Sequence, residues 1–392
     1  MRDIAELLSG DVSGTLCLIR VDYNCPIDGG RITDTTRIDR TVDGLKALLE
    51  AGAKLRLCSH LGRPKGQIKP EYSLLPVAEY LSSRLGFAVP LLSPDAPEAD
   101  TGSDASVIML ENLRFFAGEE ANEAAFAAMM ARVGDVYIND AFSCAHRAHA
   151  STHAVAALLP AYAGALLSAE VTALNRVLDA PVRPVVAVVG GAKVSTKLAV
   201  LNHLVDKTDH ILLGGGMANT FALARGYELG ASLAEPEMLE IVREIEATAS
   251  TSGCTIHLPI DGIVAEQFAV NAPSRQVMLS DGLSDAEMML DIGAQTLASF
   301  GQVIDKANTV LWNGPMGAFE LAGFDQGTYQ LARHVAAKSK GGLTSVAGGG
   351  DTVAALNGAG VAEEFSYVSL AGGAFLEWIE GKILPGVAAL EA

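Results

Sequence analysis

The sequence predicts an α/β protein of two domains, each built on a parallel, doubly wound sheet, the two facing each other across a cleft and joined by a hinge helix. Three observations carry this reading. Short apolar runs recur along the chain and end in a glycine turn or a charged cluster. Helix-like stretches lie between them, as parallel pairing through right-handed crossovers requires. The chain has 392 residues, more than one ordinary core accommodates.

In the first half the apolar runs are LCLIRVDYN (16–24), KLRLCSHLG (54–62), SVIMLENLRF (106–115) and DVYINDAF (135–142), with helical TVDGLKALLEAG and EAAFAAMMARVG between them. A buried strand should be continuously apolar, so the polar residues at the C-terminal ends of these runs face the crevice where open α/β sheets bind ligands. The stretch GALLSAEVTALNRVLDAPVRP (164–184) has helical spacing and is stopped by Pro181 and Pro184. It carries the domain junction, dividing the chain into 1–170 and 171–377. In the second half the strands PVVAVVGGAK (184–193), HILLGGGMA (210–218), TVLWNGPMG (309–317), LTSVAGGGDT (343–352) and YVSLAGGA (367–374) each end in a glycine turn. STKLAVLNHLVDK (195–207) and DQGTYQLARHVAAKSK (325–340) are helical.

Composition excludes several classes. Hydrophobic residues at 49%, charged residues at 19% and a mean hydropathy of +0.28 provide apolar material enough to offset chain entropy. The net charge of −18 opposes binding to nucleic acid or anionic membranes. Cys17, Cys25, Cys58, Cys144 and Cys254 are odd in number and scattered, which points to a reducing cytoplasm and to neither a disulfide framework nor a cysteine zinc site. The start MRDIAELLSGDVSG lacks an apolar signal region, and no run is long enough to span a bilayer.

In the first half, Arg37, Arg63, Arg114 and Arg147 sit at or just beyond strand ends. Any one of them is readily a scattered surface arginine. Together, in an acidic protein, they point to a small anion with several oxygens, because the guanidinium fork matches carboxylate and phosphate. Asp22, Asn24 and His60 either orient hydroxyls there or cap turns. His146, His149 and His153 recur at i, i+3, i+7, a metal-like spacing on a helix, but Arg147 among them disfavours a dication. Cys144 is either an activated nucleophile or a small apolar residue.

In the second half, glycine turns let backbone N–H groups approach oxyanions. Neither G-x-x-x-x-G-K-[ST] nor G-x-G-x-x-G occurs. Lys193 and Lys197 follow Gly190–Gly191, and Asp351–Thr352 follows Gly348–Gly350; lysines for phosphate and an aspartate for Mg²⁺ suit a nucleotide, with solvated surface charge as the competing reading.

From Arg20 through Leu390 the sequence resembles the phosphoglycerate kinase family. The motifs RVDYNCPIDGGRITDTTRI, SHLGRPKG, ENLRF with GEE, NDAFSCAHRAHAST, GGAKVSTKL, GGGMA, WNGPMGAFE, GGGDT and EGKILPGVAAL stand in the family's order. The resemblance implies two Rossmann-like domains, an N-terminal one for 3-phosphoglycerate, with 378–392 returning to it, and a C-terminal one for Mg-nucleotide. It implies a phosphoglycerate site of Asp22, Tyr23, Asn24, Arg37, His60, Leu61, Gly62, Arg63, Arg114, His146 and Arg147, with His149 in the same basic patch. The nucleotide site it implies comprises Lys193, Lys197, Gly214, Gly215, Asn313, Glu320 on the ribose, and Gly349, Gly350, Asp351 and Thr352, with Asp351 near Mg²⁺. Arg37, Lys193, Lys197, Gly372 and Gly373 would carry the transition state.

The implied reaction is reversible phosphoryl transfer between 1,3-bisphosphoglycerate and MgADP, giving 3-phosphoglycerate and MgATP, by a cytoplasmic monomeric phosphotransferase whose crevice closes at a hinge. Five residues depart from the family: Tyr23 where Phe is more frequent, Ser143–Cys144 where Gly-Thr is common, Met289 where a glycine is frequent, and Leu370 where a threonine is frequent. A nicotinamide dehydrogenase would share the α/β pattern but needs the missing G-x-G-x-x-G. A solute-binding protein would share the arginines but has no need of the lysine pair, Glu320 and GGGDT.

Overall fold

The computed structural model describes residues 1–96 and 105–391. The chain forms two compact units, Met1–Val171 with Ile383–Ala392, and Thr172–Lys382.

The first unit is organised on a six-stranded sheet, ordered Leu91–Leu92, Val107–Leu110, Lys54–Cys58, Leu16–Arg20, Val136–Asn139, Ala161–Ala163, and every pairing is parallel. Val107–Leu110 and Val136–Asn139 are buried at all positions, as a sheet covered on both faces demands. Cys17, Ile19, Leu55, Leu57, Val107 and Met109 share one core with Val42, Leu45 and Leu48 of the helix Val42–Glu50. Removing each such side chain from water stabilises the fold by roughly 1.5–3 kcal/mol. The order reverses between Leu16–Arg20 and Val136–Asn139, so the crevice at the switch point lies beyond Arg20 and Asn139. The helix Ala165–Leu178 carries the junction between the units. The helix Pro385–Ala388 belongs to the first unit, where Gly386 N donates to Ala145 O at 2.8 Å.

The second unit repeats the plan in the order Thr255–His257, His210–Leu213, Val185–Val189, Thr309–Asn313, Thr344–Gly348, Tyr367–Ser369, again parallel throughout. Its switch point falls between Val185–Val189 and Thr309–Asn313, the strands followed by Gly190 and Gly314. Trp312 is buried, makes an edge contact with Phe365 at 6.3 Å, and donates from Nε1 to Gly314 O at 2.7 Å, tying the strand to the turn that follows.

A second sheet in this unit lies outside the sequence expectation. Ser274–Met278, Asp261–Ala265 and Met288–Ile292 pair antiparallel in that order. The register slips opposite Ile263 and Val264, which pair with Asp291 and Met289, leaving Leu290 as the extra residue of a β-bulge. The segment SRQVM is exposed at its first three positions and carries no apolar alternation, which is why periodicity does not reveal it.

Candidate active site

Beyond the first strand, Asp22 gathers most of the anticipated cluster in the first unit. Its Oδ2 accepts from Arg37 Nη1 and Ser143 Oγ, and its Oδ1 accepts from Asn24 N at 3.2 Å. Asn24 Oδ1 in turn accepts from Gly62 N at 2.9 Å, and Arg114 Nη1 donates to Gly62 O at 2.7 Å. His60 Nδ1 stands 3.9 Å from Asp22 Oδ1 and 3.1 Å from Arg20 Nη2. Burial alone would raise the Asp22 carboxyl, but the Arg37 guanidinium, the Ser143 hydroxyl and Arg20 outweigh it and hold it below the ordinary carboxylate range. Burial and Arg20 push His60 well below the ordinary histidine range, against the pull of Asp22. Arg114 is lowered by burial, with Glu120 opposing and Arg147 adding to the effect, so Arg147 shares the same field. The cluster holds more cationic than anionic groups and is suited to a compact, multiply charged anion.

Some expected residues take other places. Tyr23 is wholly buried, its hydroxyl 2.7 Å from Thr41 Oγ1, so its ring belongs to the core and only its backbone is left to face a ligand. Leu61 is also core, with its N–H and C=O bracketed by Asn112 at 3.2 and 2.7 Å. Arg63 is exposed just past Gly62. His146 Nε2 accepts from Arg147 Nε at 3.2 Å. The three-histidine helical face is not formed: residues 146–153 are turns and irregular chain, His149 Nδ1 lies 3.9 Å from Glu119 Oε1, and His153 Nδ1 lies 3.2 Å from Asn122 Nδ2. Burial, with Arg114, Arg20 and Arg147, pushes His149 down to about 4. Cys144 is buried and its thiol is raised, the state of an inert apolar residue and not of a nucleophile. Among the described residues, Asp22, His60 and Cys144 are the one trio of ligating side chains with donor atoms within 4.8 Å. Arg20 and Arg37 already engage it, and a dication there would face their charge.

In the second unit, backbone closeness builds the site. A Cβ on Gly190 would come within 1.8 Å of Pro315 O, and one on Gly314 within 2.1 Å of Gly190 O, so the two turns meet only as glycines. Lys197 Nζ donates to Gly190 O at 2.6 Å, Asn313 O at 3.0 Å and Asn313 Oδ1 at 2.7 Å. Burial lowers its pKa to about 8 despite Asp351. Asn313 Nδ2 donates to Gly348 O and Gly314 N donates to Thr352 Oγ1, each at 2.7 Å, so Asn313 and Thr352 fasten neighbouring turns together. Gly214 caps the helix Gly215–Ala224, and Gly215 N donates to Met316 O at 2.8 Å. Gly349, at φ +98°, caps Gly350–Ala359, whose first turn holds Asp351.

These turns floor a cavity of about 440 Å³, within the range of small-molecule sites. Gly191, Ala192, Gly215 and Gly216 line one side; Leu233, Phe268, Met289 and the bulged Leu290 form apolar walls; Glu320 and Asp351 are also in the lining. The apolar walls, Asn219 and Asp291 escape sequence reasoning except Met289: Leu290 and Asp291 lie on the unanticipated sheet, Leu233 and Phe268 on loops without pattern, and Asn219 within the helix Gly215–Ala224. Lys193 is exposed and is not in the lining. Gly372, at φ +55°, precedes the helix Gly373–Ile379, at the end of the last strand of the sheet. Ser369 Oγ accepts from Ala371 N at 3.2 Å, so it closes a turn before this helix and does not cap it.

Asp351 fits Mg²⁺, which commonly takes one or two carboxylates together with substrate phosphates and keeps several waters.

The family profile described as phosphoglycerate kinase matches residues 7–382. The chain is 52% identical over 390 residues to the phosphoglycerate kinase of Methylorubrum extorquens (strain PA1), covering 98% of this chain and 97% of that protein. It is 53% identical over 383 residues to that of Dinoroseobacter shibae, covering 97% of each. The solved phosphoglycerate kinase of Coxiella burnetii superposes with a TM-score of 0.93 at 42% identity over 97% of both chains. That of Pyrococcus horikoshii superposes with a TM-score of 0.79 at 29% identity, over 100% of this chain and 98% of that one. With its profile matched from residue 7 to residue 382 and relatives this similar over nearly their full length, the chain belongs to the phosphoglycerate kinase family.

Proposed function

We propose that this chain carries out its family's reaction, reversible phosphoryl transfer between 1,3-bisphosphoglycerate and MgADP giving 3-phosphoglycerate and MgATP, with the two ligands on separate units. The arginine cluster around Asp22 takes phosphoglycerate, and the glycine-floored cavity takes the nucleotide. The observation that carries this reading is the pairing of chemistries: a cluster with excess positive charge in one unit, and in the other a nucleoside-sized cavity with an acidic rim beside a half-buried lysine.

No general base is needed. In either direction the attacking oxygen belongs to an ionised phosphate or carboxylate, so catalysis reduces to positioning and to neutralising charge on the group in transfer. Arg37 supplies a fixed positive charge toward the acyl phosphate, Lys197 supplies one toward the nucleotide phosphates, and the backbone of Gly372 and Gly373 donates N–H groups to the moving phosphoryl. Glu320 receives ribose hydroxyls, and Leu290 with Phe268 contacts the base. Asp351 holds Mg²⁺, which when bound neutralises phosphate charge. The family resemblance suggests a monomer; a net charge of −18 opposes nucleic acid, the free cysteines suit a reducing cytoplasm, and no helix among the described residues is long and apolar enough to cross a membrane.

A coupled assay of ATP-dependent consumption of 3-phosphoglycerate tests the reaction. Turnover requiring both ligands and Mg²⁺ is expected; binding of either ligand without turnover would sink the proposal.

A further inference from the structure

A buried chain of polar groups runs away from the anion cluster in the first unit, and the phosphoryl-transfer chemistry makes no direct use of it. His60 Nδ1 lies 3.1 Å from Arg20 Nη2. A guanidinium has no acceptor to offer, so Arg20 donates, Nδ1 accepts, and the ring proton of neutral His60 resides on Nε2. Arg20 is 1% exposed, and its own orientation is fixed from behind. Its Nη1 donates to Val21 O and its Nε donates to Ser151 Oγ at 2.8 Å. Because that hydroxyl oxygen accepts from Arg20, its hydrogen is free to go to Glu119 Oε1, 2.6 Å away, while Ser151 N donates to Glu119 Oε2 at 2.9 Å. Both carboxylate oxygens serve as acceptors, and Glu119 and Ser151 are wholly buried. The backbone closes the same bracket, since Ala150 N donates to Glu119 O at 2.9 Å.

We infer that Glu119 and Ser151 are positioning residues, which hold Arg20 so that His60 is kept as the Nε2–H tautomer with a single donor for the bound phosphoglycerate. The physical reason is directional. A carboxylate orders the hydroxyl, the ordered hydroxyl turns a lone pair toward Arg20, and the fixed guanidinium leaves the imidazole one way to be protonated. Asp22 Oδ1, 3.9 Å from the same nitrogen, lies beyond hydrogen-bond distance and already accepts from Asn24 N, while Oδ2 is taken by Arg37 and Ser143, so Asp22 does not compete for a proton there. Loss of the Ser151 hydroxyl leaves Arg20 Nε without its partner in a site closed to water, and the guanidinium then swings to find another.

The consequence for substrate rests on the placement of phosphoglycerate proposed above, whereas the tautomer itself is read on the ligand-free protein. Nitrogen-15 spectra of the histidine rings should show His60 as one tautomer in the wild type and as a mixture or the Nδ1–H form in Ser151→Ala. The KM for 3-phosphoglycerate should rise about tenfold, the order expected when a buried donor loses its partner, with the nucleotide KM unmoved. Ser151→Thr keeps the hydroxyl and should restore both readouts; Glu119→Gln, if it folds, should behave as Ser151→Ala. An unchanged His60 tautomer in Ser151→Ala would overturn the inference, as would a threonine variant as altered as the alanine. A tautomer change with an unchanged KM would uphold the positioning chain and show that phosphoglycerate does not use His60.

Discussion

The Lys197 ammonium is held by Asn313 at both its side-chain and backbone oxygens, 2.7 and 3.0 Å away, with Gly190 O completing the set. Three neutral oxygens satisfy its donors without supplying a counter-charge, and burial lowers its pKa to about 8. At pH 8 the lysine is therefore near its midpoint in the free protein. A nucleotide phosphate brings negative charge and moves the pKa back toward its ordinary value, so binding draws a proton from solution at pH 8 and above and draws little at pH 6, where the lysine is already charged. Calorimetric titration with MgADP in two buffers of different ionisation enthalpy should show this uptake at pH 8, and Lys197→Met should abolish it. Heats independent of buffer in the wild type at that pH would remove Lys197 from the phosphates.

The same contact separates the ligands. Lys197→Ala should weaken MgADP binding while leaving 3-phosphoglycerate binding largely intact, as titration of each ligand alone will show. If phosphoglycerate affinity falls and nucleotide affinity survives, the assignment of ligands to units is reversed.

Arg37 pairs with Asp22 while its side chain remains 37% exposed, so it adds little to stability and faces the anion cluster. Arg37→Ala should lower kcat by about a hundredfold or more, in line with the loss of one fixed charge donor aimed at developing negative charge. The melting temperature should stay close to that of the wild type. A variant with near-normal kcat would take Arg37 out of the catalytic role.

The residues that sequence reading places well are those whose chemistry and position coincide. His60 and Arg114 follow strand ends, and a parallel sheet sends strand ends to one crevice, so their place near Asp22 follows from topology, whereas Arg37 reaches Asp22 from the short helix Thr36–Asp39. Residues whose role is set by packing are not visible in this way. Glu119 and Glu120 are adjacent in GEE, yet one is wholly buried under Ser151 and the other is exposed beside Arg114. No local pattern distinguishes them. Tyr23 sits inside a ligand-binding motif but fills the core, because alternation along an extended segment turns its ring inward between Asp22 and Asn24. The bulged strand bearing Leu290 pairs with Asp261–Ala265, whose other partner is the polar Ser274–Met278, so its place in the cavity depends on a sheet whose outer strand carries no apolar alternation.

Thr352 presents a second case of structural duty within a ligand motif. Its hydroxyl oxygen accepts from Gly314 N in the turn that leads into Pro315 and Met316 of the cavity. Thr352→Val preserves shape and strands that N–H, which should cost about 1–3 kcal/mol and raise the nucleotide KM as the turn loosens. Thr352→Ser should be close to wild type. Thermal melts of the two variants decide the point: equal melting temperatures would mean that the Gly314 contact contributes nothing.

The loop before the helix Gly373–Ile379 tests where the phosphoryl donors lie. Gly372 has φ +55° and ψ −106°, a conformation that residues with a Cβ rarely adopt, although an added Cβ there would meet nothing within 4 Å. The constraint at 372 is thus conformational and not steric, as expected of a backbone turned to present its N–H groups. Leu370, by contrast, stands two residues away, and Ser369 Oγ already satisfies Ala371 N. If backbone N–H groups bind the phosphoryl, Leu370→Thr should change kcat by less than about tenfold, under the 1.4 kcal/mol that a decade represents. Gly372→Ala strains the turn by about 1–3 kcal/mol and should reduce kcat more than it reduces the melting temperature would imply, since it tilts the donors away from the transferring group. Gly373→Val adds a branched side chain at an exposed position that the phosphoryl must approach, and should be the most damaging of the three. Steady-state kinetics on the set give the ranking directly. A large gain from the threonine, or a harmless valine, would show that a side-chain hydroxyl performs the task assigned to the Gly372–Gly373 backbone.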